Sequence, residues 1–216
     1  ASTGGPQAQK MDKLGFRAII VEGMTEEGKL YLLKVDKNGA LLLSADEYKG
    51  VNNYQLVEDL QKKYGKNAAI VSIGSGGERK HKSATVAFTD TLGEPSRQAG
   101  RGGLGAVMGA KGLKAIVIDD TGAPEVELAN KALFKETVKS WVEIVKRDAG
   151  CGLFATFGTP FAVSTMSMQG TMPAENYTSG RSKDYLMVSG ETIRRISWER
   201  GGKMHGCMPG CVVQCS

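Results

Sequence analysis

The chain has 216 residues, of which 41% are hydrophobic, 24% charged and 6% aromatic, close to the average of globular proteins and far from disordered or collagen-like compositions. A net charge of +5 with interspersed charges and scattered aromatic residues argues against nucleic-acid binding. No apolar stretch approaches the roughly 18 residues of a membrane span, and the N-terminus lacks the pattern of a signal peptide.

The first half of the chain is predicted to be rich in strands, separated by Gly, Asp and Asn turn signals. The predicted strands cover residues 18–21, 30–35, 40–43, 68–73, 84–88 and 115–118. One helix interrupts them after Asn52 and Asn53, because Leu56, Val57, Leu60 and Tyr64 share one helical face and Gly65 follows as a stop signal.

The second half is predicted to be mainly helical, beginning after a turn at residues 121–124. Apolar residues at Leu133, Phe134, Val138, Trp141, Val142 and Val145 give one face of a long amphipathic helix. Two further helices are expected at 159–168 and 191–200. We therefore predict an α+β protein with a β-rich domain at 1–121 and a helical region at 122–216.

The segment 97–112 is the main candidate for a binding site, because it contains six glycines in sixteen positions. Glycines allow backbone amides to converge on an anion, and Arg97, Arg101 and Lys111 supply cationic donors. A short helix is expected at 106–108. This pattern favours a phosphate-bearing ligand, with a mobile surface loop as the structural alternative.

Two nucleotide-binding interpretations have less support from the same segment. Gly100, Gly102 and Gly105 satisfy G-x-G-x-x-G, but the preceding predicted strand ends near Phe88, about ten residues too early for a dinucleotide-binding turn. The G-x-x-x-x-G-K-[ST] motif of nucleotide triphosphatases is absent from the sequence.

Three of the four cysteines form a compact C-x3-C-x3-C pattern at Cys207, Cys211 and Cys215. Short spacing with Pro and Gly between the thiols favours an iron–sulfur cluster. Two alternatives stay open: a zinc site that includes His205, and structural or redox cysteines without a metal. The isolated Cys151 is interpreted as a small packing residue. Because the chain starts without Met and Cys215 is its penultimate residue, we expect an internal piece of a longer protein.

Four motifs together resemble the tungsten-containing aldehyde ferredoxin oxidoreductase family over essentially the whole chain. They lie at residues 2–5, 18–23, 100–111 and 158–160, and the run Gly-Arg-Gly-Gly-Leu-Gly-Ala-Val-Met-Gly from Gly100 is the most specific. The resemblance implies an N-terminal β domain that forms a base under the cofactor, followed by mainly helical domains.

The resemblance also implies cofactors and residue roles. The family binds a tungsten, sometimes molybdenum, bis-pyranopterin whose phosphates are joined through Mg²⁺, with a [4Fe-4S] cluster nearby. By motif position, the pterin contacts are Ser2, Gly4, Arg97, Gln98, Gly100 and Arg101. The cluster ligands are Cys207, Cys211 and Cys215. The catalytic residues cannot be assigned within this chain.

The implied activity is oxidation of an aldehyde to a carboxylate, with electrons passed through the cluster to ferredoxin or another iron–sulfur carrier. The lack of a signal peptide and the oxygen sensitivity of the implied cofactors point to a cytoplasmic enzyme, and a homodimer is left open. Two other functions are retained as alternatives: a tungsten reductase subunit acting on an acyl-CoA such as benzoyl-CoA, and a non-catalytic zinc-stabilised binding module.

The sequence departs from the best-known members of the family at two places. Ser2 and Thr3 stand where those members carry Asn and Ser. The family's C-x2-C-x3-C motif would place its first cysteine at Met204, so that Cys215 becomes a displaced third ligand. These differences indicate a divergent branch.

Overall fold

The computed structural model describes residues 1–214, which form two compact units, one at Ala1–Glu127 and a second beginning at Leu128. The first unit contains a six-stranded sheet and short helices, and the second is helical. The predicted α+β class is therefore confirmed.

The first unit alternates short helices with strands along the chain. Its elements are α1 (Gln7–Lys13), β1 (Tyr31–Asp36), β2 (Gly39–Ser44), a 3-10 turn (Asp46–Tyr48), α2 (Asn53–Tyr64), β3 (Ala69–Ser72), α3 (Ser75–Glu78), β4 (Val86–Phe88), β5 (Arg97–Ala99), α4 (Leu104–Ala110) and β6 (Leu113–Ile118). The strands follow the order β2-β1-β6-β3-β4-β5, so β6 is central although it comes last in the sequence. β1 runs parallel to β6, and the other neighbouring pairs are antiparallel.

The central strand β6 is buried at five of its six positions, as its nearly continuous apolar sequence requires. Its one charged residue, Lys114, is fully buried and donates from Nζ to the carbonyl oxygen of Val51 at 2.8 Å and to the carboxylate of Glu78. Glu78 also accepts the amide of Gly50 at 2.8 Å. This ion pair joins β6, α3 and the loop before α2, because a buried ammonium needs a partner for its charge.

Helix α2 confirms the sequence prediction closely. The Asn52 side chain caps its first turn by accepting the amide of Gln55 at 3.0 Å, and Gly65 ends it with φ +101°. Of the positions predicted to share one face, Leu56, Val57 and Leu60 are buried and pack on the sheet, and Tyr64 is partly buried against the same core.

The predicted strand at 18–21 is wrong, since these residues have no strand partner among the described residues and Ile20 is 81% exposed. The β-branched composition there did not decide the conformation, because pairing also requires a neighbouring strand. β5 was missed because its sequence, Arg-Gln-Ala, has neither β-branched nor aromatic residues.

The second unit consists of helices α5 (Lys131–Arg147), α6 (Ala149–Phe157), α7 (Ala162–Gln169) and α8 (Gly190–Glu199), with 3-10 turns at Thr159–Phe161 and Tyr185–Val188. The long helix and the helix near 191–200 are confirmed as α5 and α8. The helix expected at 159–168 begins as the 3-10 turn and continues as α7. The apolar face of α5 is exposed in the described structure, with Trp141 at 63% and Leu133 at 58%.

Candidate functional site

Two of the predicted pterin contacts lie on β5, the strand at one edge of the sheet. β4 and β5 pair through Phe88 with Arg97, Ala87 with Gln98 and Val86 with Ala99. Gly100 and Arg101 follow directly and are exposed. An edge strand presents one side of its backbone to a ligand, so these four residues form one continuous strip at the edge of the sheet. Within it, the Gln98 side chain donates to the carbonyl oxygen of Pro95 at 3.1 Å and accepts the hydroxyl of Thr85 at 2.6 Å.

The turn that leads into β5 is organised by the buried carboxylate of Asp90. Its Oδ1 accepts the amides of Leu92 at 2.8 Å and Glu94 at 3.0 Å, and its Oδ2 accepts the hydroxyl of Ser96 at 2.6 Å. Asp90 is 2% exposed, so its carboxylate depends on these bonds rather than on water. The turn therefore delivers Arg97 to the edge of the sheet in a fixed position.

The backbone after β5 turns through two left-handed glycines, Gly102 with φ +83° and Gly103 with φ +65°. A Cβ at Gly102 would meet nothing within 4 Å, so this turn is open to a ligand. Within residues 1–214, the amides of Gly102, Gly103 and Leu104 donate no hydrogen bond. Unpaired amides beside two guanidinium groups form a donor set that fits phosphate oxygens.

The remaining glycines of the segment serve close packing inside the unit instead. A Cβ at Gly105 would lie 2.4 Å from the carbonyl oxygen of Thr85, and one at Gly109 would lie 2.0 Å from that of Gly77. Both approaches are shorter than any side chain tolerates, so glycine lets α4 lie directly on neighbouring backbone. A Cβ at Gly103 would likewise lie 2.5 Å from the carbonyl oxygen of Lys82, so the glycine-rich segment combines a turn that is open at residues 100–102 with a packed helix.

The N-terminal loop that carries Ser2 and Gly4 is held at the end of β4. Gln7 is buried at 6% exposure and donates from Nε2 to the carbonyl oxygen of Thr89 at 3.0 Å and to its Oγ1 at 3.2 Å. A Cβ at Gly5 would lie 2.6 Å from the same carbonyl oxygen. Ser2 is exposed and Gly4 half-buried, on the loop that precedes this contact rather than on β5 itself.

The dinucleotide-binding interpretation fails on topology, although β5 does precede the glycine turn directly. β5 is separated from β6 by β3 and β4 and runs antiparallel to β6. A dinucleotide-binding unit needs parallel strands joined by a helix, and this connection has the wrong direction.

The predicted cluster cysteines lie on a loop without regular structure in the second unit. Cys207 and Cys211 are half-buried, and the Cys211 amide donates to the Met208 carbonyl oxygen at 3.3 Å. The loop is tied to α6 by the Gln214 amide, which donates to the Phe154 carbonyl oxygen at 3.1 Å. Cys215 lies outside the described residues.

The chemistry of this loop suits a thiolate-bound metal cluster. The loop at residues 204–214 contains no carboxylate side chain, and its thiols lie among apolar and glycine residues in the sequence. Among residues 1–214, no group of three His, Cys, Asp or Glu side chains is close enough to hold a metal ion, so Cys207, Cys211 and His205 do not complete a site by themselves. A complete ligand set needs Cys215 or residues from elsewhere.

The motif at 158–160 begins with a glycine, Gly158, because the backbone packs closely there. Its φ of +68° favours glycine, and a Cβ there would lie 1.9 Å from the Gln214 carbonyl oxygen and 2.7 Å from the Met204 Cε. The motif therefore supports the cysteine loop by close backbone packing.

Cys151 lies in the first turn of α6, separate from the cysteine loop in sequence. The Asp148 carboxylate caps this helix by accepting the Cys151 amide at 2.7 Å. A hydrogen bond with Asp148 raises the pKa of the Cys151 thiol, and hydrogen bonds from the Cys151 amide and thiol hold the pKa of Asp148 below its ordinary value. A protonated thiol is a poor metal ligand, which favours a structural role for Cys151.

Sequence reasoning missed Gln7, Thr89 and Asp90. Asp90 stands before a turn and could have been identified by its capacity to accept amides two residues ahead. Gln7 gave no such signal, because its partners come from a distant segment.

The fold and donor set describe an α+β protein with an edge-strand site suited to an anionic ligand. The family described as "Aldehyde ferredoxin oxidoreductase, N-terminal domain" matches residues 1–120, more than half of the chain. The chain belongs to the aldehyde ferredoxin oxidoreductase family.

Curated relatives and a solved structure are similar over nearly the whole chain. The tungsten-containing aldehyde ferredoxin oxidoreductases of Pyrococcus abyssi and Pyrococcus horikoshii are each 34% identical over 214 residues, covering 98% of this chain and 34% of theirs. The aliphatic sulfonate oxidoreductase WOR-like subunit of Pyrococcus furiosus is 30% identical over 144 residues, covering 60% of this chain and 22% of its own. This chain thus spans about a third of the length of the first two relatives.

The solved structure is the active site complex BamBC of benzoyl coenzyme A reductase with 1,5-dienoyl-CoA. It matches with a TM-score of 0.70 and 22% sequence identity, covering 97% of this chain and 32% of that one. At this identity the match concerns the fold. No helix within residues 1–214 has both the length and the apolar character to cross a membrane.

Proposed function

We propose that the protein containing this chain is a tungsten- or molybdenum-pterin oxidoreductase that oxidises an aldehyde to a carboxylate. The observation that carries this proposal is the edge strip of β5 with the unpaired amides of the following glycine turn, which lies within the segment that matches the family. The names of the relatives, which are tungsten-containing oxidoreductases, support the same assignment.

The residues of the first unit would bind and orient the cofactor. Arg97 and Arg101 would hold the pterin phosphates together with the amides after Gly100, and Mg²⁺ would neutralise part of their charge. Gln98 would donate from the exposed edge of β5, while Ser2 and Gly4 would contribute from the N-terminal loop. When bound, the metal centre would supply the two-electron oxidation of the aldehyde carbon.

The second unit would supply the route for electrons. Oxidation of an aldehyde by water gives a carboxylate, three protons and two electrons, and a [4Fe-4S] cluster passes electrons singly. Cys207, Cys211 and Cys215 would bind three irons of such a cluster, and ferredoxin or a similar carrier would accept the electrons in the cytoplasm.

The decisive measurement is the metal content of the full-length protein purified without oxygen. About one tungsten or molybdenum and about four irons per chain, with acid-labile sulfide, are expected. Zinc alone would contradict the proposal and favour the non-catalytic binding module.

A charge reversal tests the phosphate role of Arg101. Arg101→Glu is expected to lower tungsten or molybdenum per chain by tenfold or more, because a carboxylate repels the phosphates at a site built from donors. Arg79→Glu is the matched control, since Arg79 is an exposed arginine at the end of α3. Unchanged metal content in Arg101→Glu would contradict this role.

A reductase acting on an acyl-CoA is the second candidate, favoured by the fold match to the benzoyl coenzyme A reductase complex. The metal-loaded protein separates the two activities. Reduction of a viologen dye by aldehydes supports the first function, whereas oxidation of reduced dye by an aromatic acyl-CoA supports the second.

A further inference from the structure

The N-terminal loop and β5 belong to distant parts of the sequence, yet both carry residues assigned above to the pterin. Both segments are anchored at the end of β4, at two consecutive residues. Thr89 is bonded to Gln7 of the N-terminal segment, and Asp90 organises the turn that leads into β5. The positions of the N-terminal loop and of the start of β5 therefore both depend on contacts at Thr89 and Asp90.

We propose that Gln7 is a positioning residue for the cofactor: its buried amide fixes the loop at residues 2–6 against the end of β4, so that Ser2 and Gly4 are held beside β5. The inference rests on the function proposed above. It concerns a residue that does not itself contact the ligand.

The hydrogen bonds of Gln7 are specific to its amide group. Nε2 donates to two oxygens of Thr89, and the Thr89 Oγ1 in turn accepts the amide of Ile70 at 2.9 Å, which links the contact to β3. The Gln7 Oε1 faces the backbone of Gly5, where a Cβ would lie 2.1 Å from it. A side chain of the same length without the amide would fill the space but would no longer hold the carbonyl oxygen of Thr89.

Burial makes this contact effective as an anchor. Thr89 is 1% exposed and Gln7 is 6% exposed, so water does not replace a lost hydrogen bond easily. Among the described residues, residues 1–5 make no hydrogen bond of their own, so the bonded contact nearest to the loop is that of Gln7. Loss of the amide is thus expected to release the loop while the sheet stays folded.

The test compares Gln7→Met with Gln9→Met in the full-length protein. Gln9 lies on the same helix, and its buried Oε1 accepts no hydrogen bond within the described residues. Deuterium uptake by residues 1–6 is measured by mass spectrometry, and pterin per chain is measured by fluorescence after oxidative release. Gln7→Met is expected to exchange faster in this loop and to retain about three- to tenfold less pterin, the effect of one lost buried hydrogen bond. Gln9→Met is expected to match the wild type.

A core variant separates positioning from general destabilisation. Val57→Ala removes two methyl groups from α2, a different part of the same unit, where Val57 is 3% exposed. If Val57→Ala loses pterin as Gln7→Met does, or if Gln7→Met keeps wild-type pterin and exchange, the inference is overturned. Gln7→Asn, which keeps an amide one methylene too short, serves if Gln7→Met does not fold and is expected to show the same loss.

The outcomes also separate this inference from the proposed function. A wild-type protein without pterin contradicts the proposed function, and the positioning role falls with it. A wild-type protein with pterin and a fully loaded Gln7→Met variant contradicts only the positioning role.

Discussion

Glycine has two different roles within one short segment of this chain. Gly102 adopts a left-handed conformation in open space, whereas Gly109 has an ordinary helical conformation but lies against backbone. The first position needs glycine for its dihedral angle and the second for its missing side chain. The two requirements predict different responses to the same substitution.

Gly109→Ala is expected to destabilise the first unit by about 3 kcal/mol, because the new methyl group would overlap the Gly77 carbonyl oxygen and separate α4 from α3. Gly102→Ala is expected to cost only about 1 kcal/mol from its left-handed angle. Urea unfolding followed by circular dichroism measures both. Equal losses would show that the close approach at Gly109 relaxes without cost.

At the level of elements, α1 is tied to the end of β6 by charge. Lys10 and Lys13 on α1 both pair with Asp120, the latter at 3.6 Å. Burial alone would raise the pKa of Asp120, but the hydrogen bond and charge of Lys10 hold it below its ordinary value. A carboxylate with a lowered pKa adds stability above its ordinary pKa and loses that contribution as the pH falls through the lowered value.

Asp120→Asn is therefore expected to reduce the free energy of unfolding by about 1.5 kcal/mol at pH 7, the typical value of a hydrogen bond to a charged group. The difference from the wild type should shrink as the pH falls below about 4, where the carboxyl of the unfolded chain takes up a proton, and should vanish below the lowered pKa of the folded state. Unfolding at several pH values tests this. Glu27→Gln is the control, since Glu27 is exposed and makes no ion pair among the described residues. A constant difference at all pH values would argue against the ionic contribution.

The elements also show how far sequence patterns reach. α2, β1, β2, β3 and β6 were predicted because local periodicity, caps and burial agree in them. β5 was missed because its conformation depends on pairing with β4 and on the turn around Asp90. Its short polar sequence gives no sign of either contact. The residues on β5 were assigned by motif rather than by pattern. Gln7 could not be predicted, since its role depends on Thr89, which is distant in sequence.

At the scale of the whole molecule, the two units differ in how much apolar side-chain surface they bury. Every hydrophobic side chain counted as buried among residues 1–214 lies in the first unit. The second unit has a 17-residue amphipathic helix, α5, whose apolar residues are exposed. Because apolar burial is the main favourable contribution to folding, the first unit has a core of its own, whereas the described part of the second unit has no fully buried apolar side chain.

We expect a fragment of residues 1–127 to unfold cooperatively in urea, and a fragment of residues 128–216 to show no cooperative transition. Circular dichroism follows the unfolding of both fragments. Tryptophan fluorescence follows the second fragment alone, because both tryptophans, Trp141 and Trp198, lie in it. A sharp transition in the second fragment would contradict the expectation and would mean that its helices are stable without further burial.

The central place of β6 has a consequence for protein synthesis. β6 is the last strand of the first unit to leave the ribosome, yet it lies between β1 and β3. Until Leu113–Ile118 emerges, the nascent chain holds the β1–β2 hairpin and the β3–β4–β5 strands as two separate pieces with open edges. The edge that carries Arg97 and Gln98 thus belongs to a complete sheet only at the end of that interval, so a ligand that needs the whole sheet would bind only after β6 has emerged.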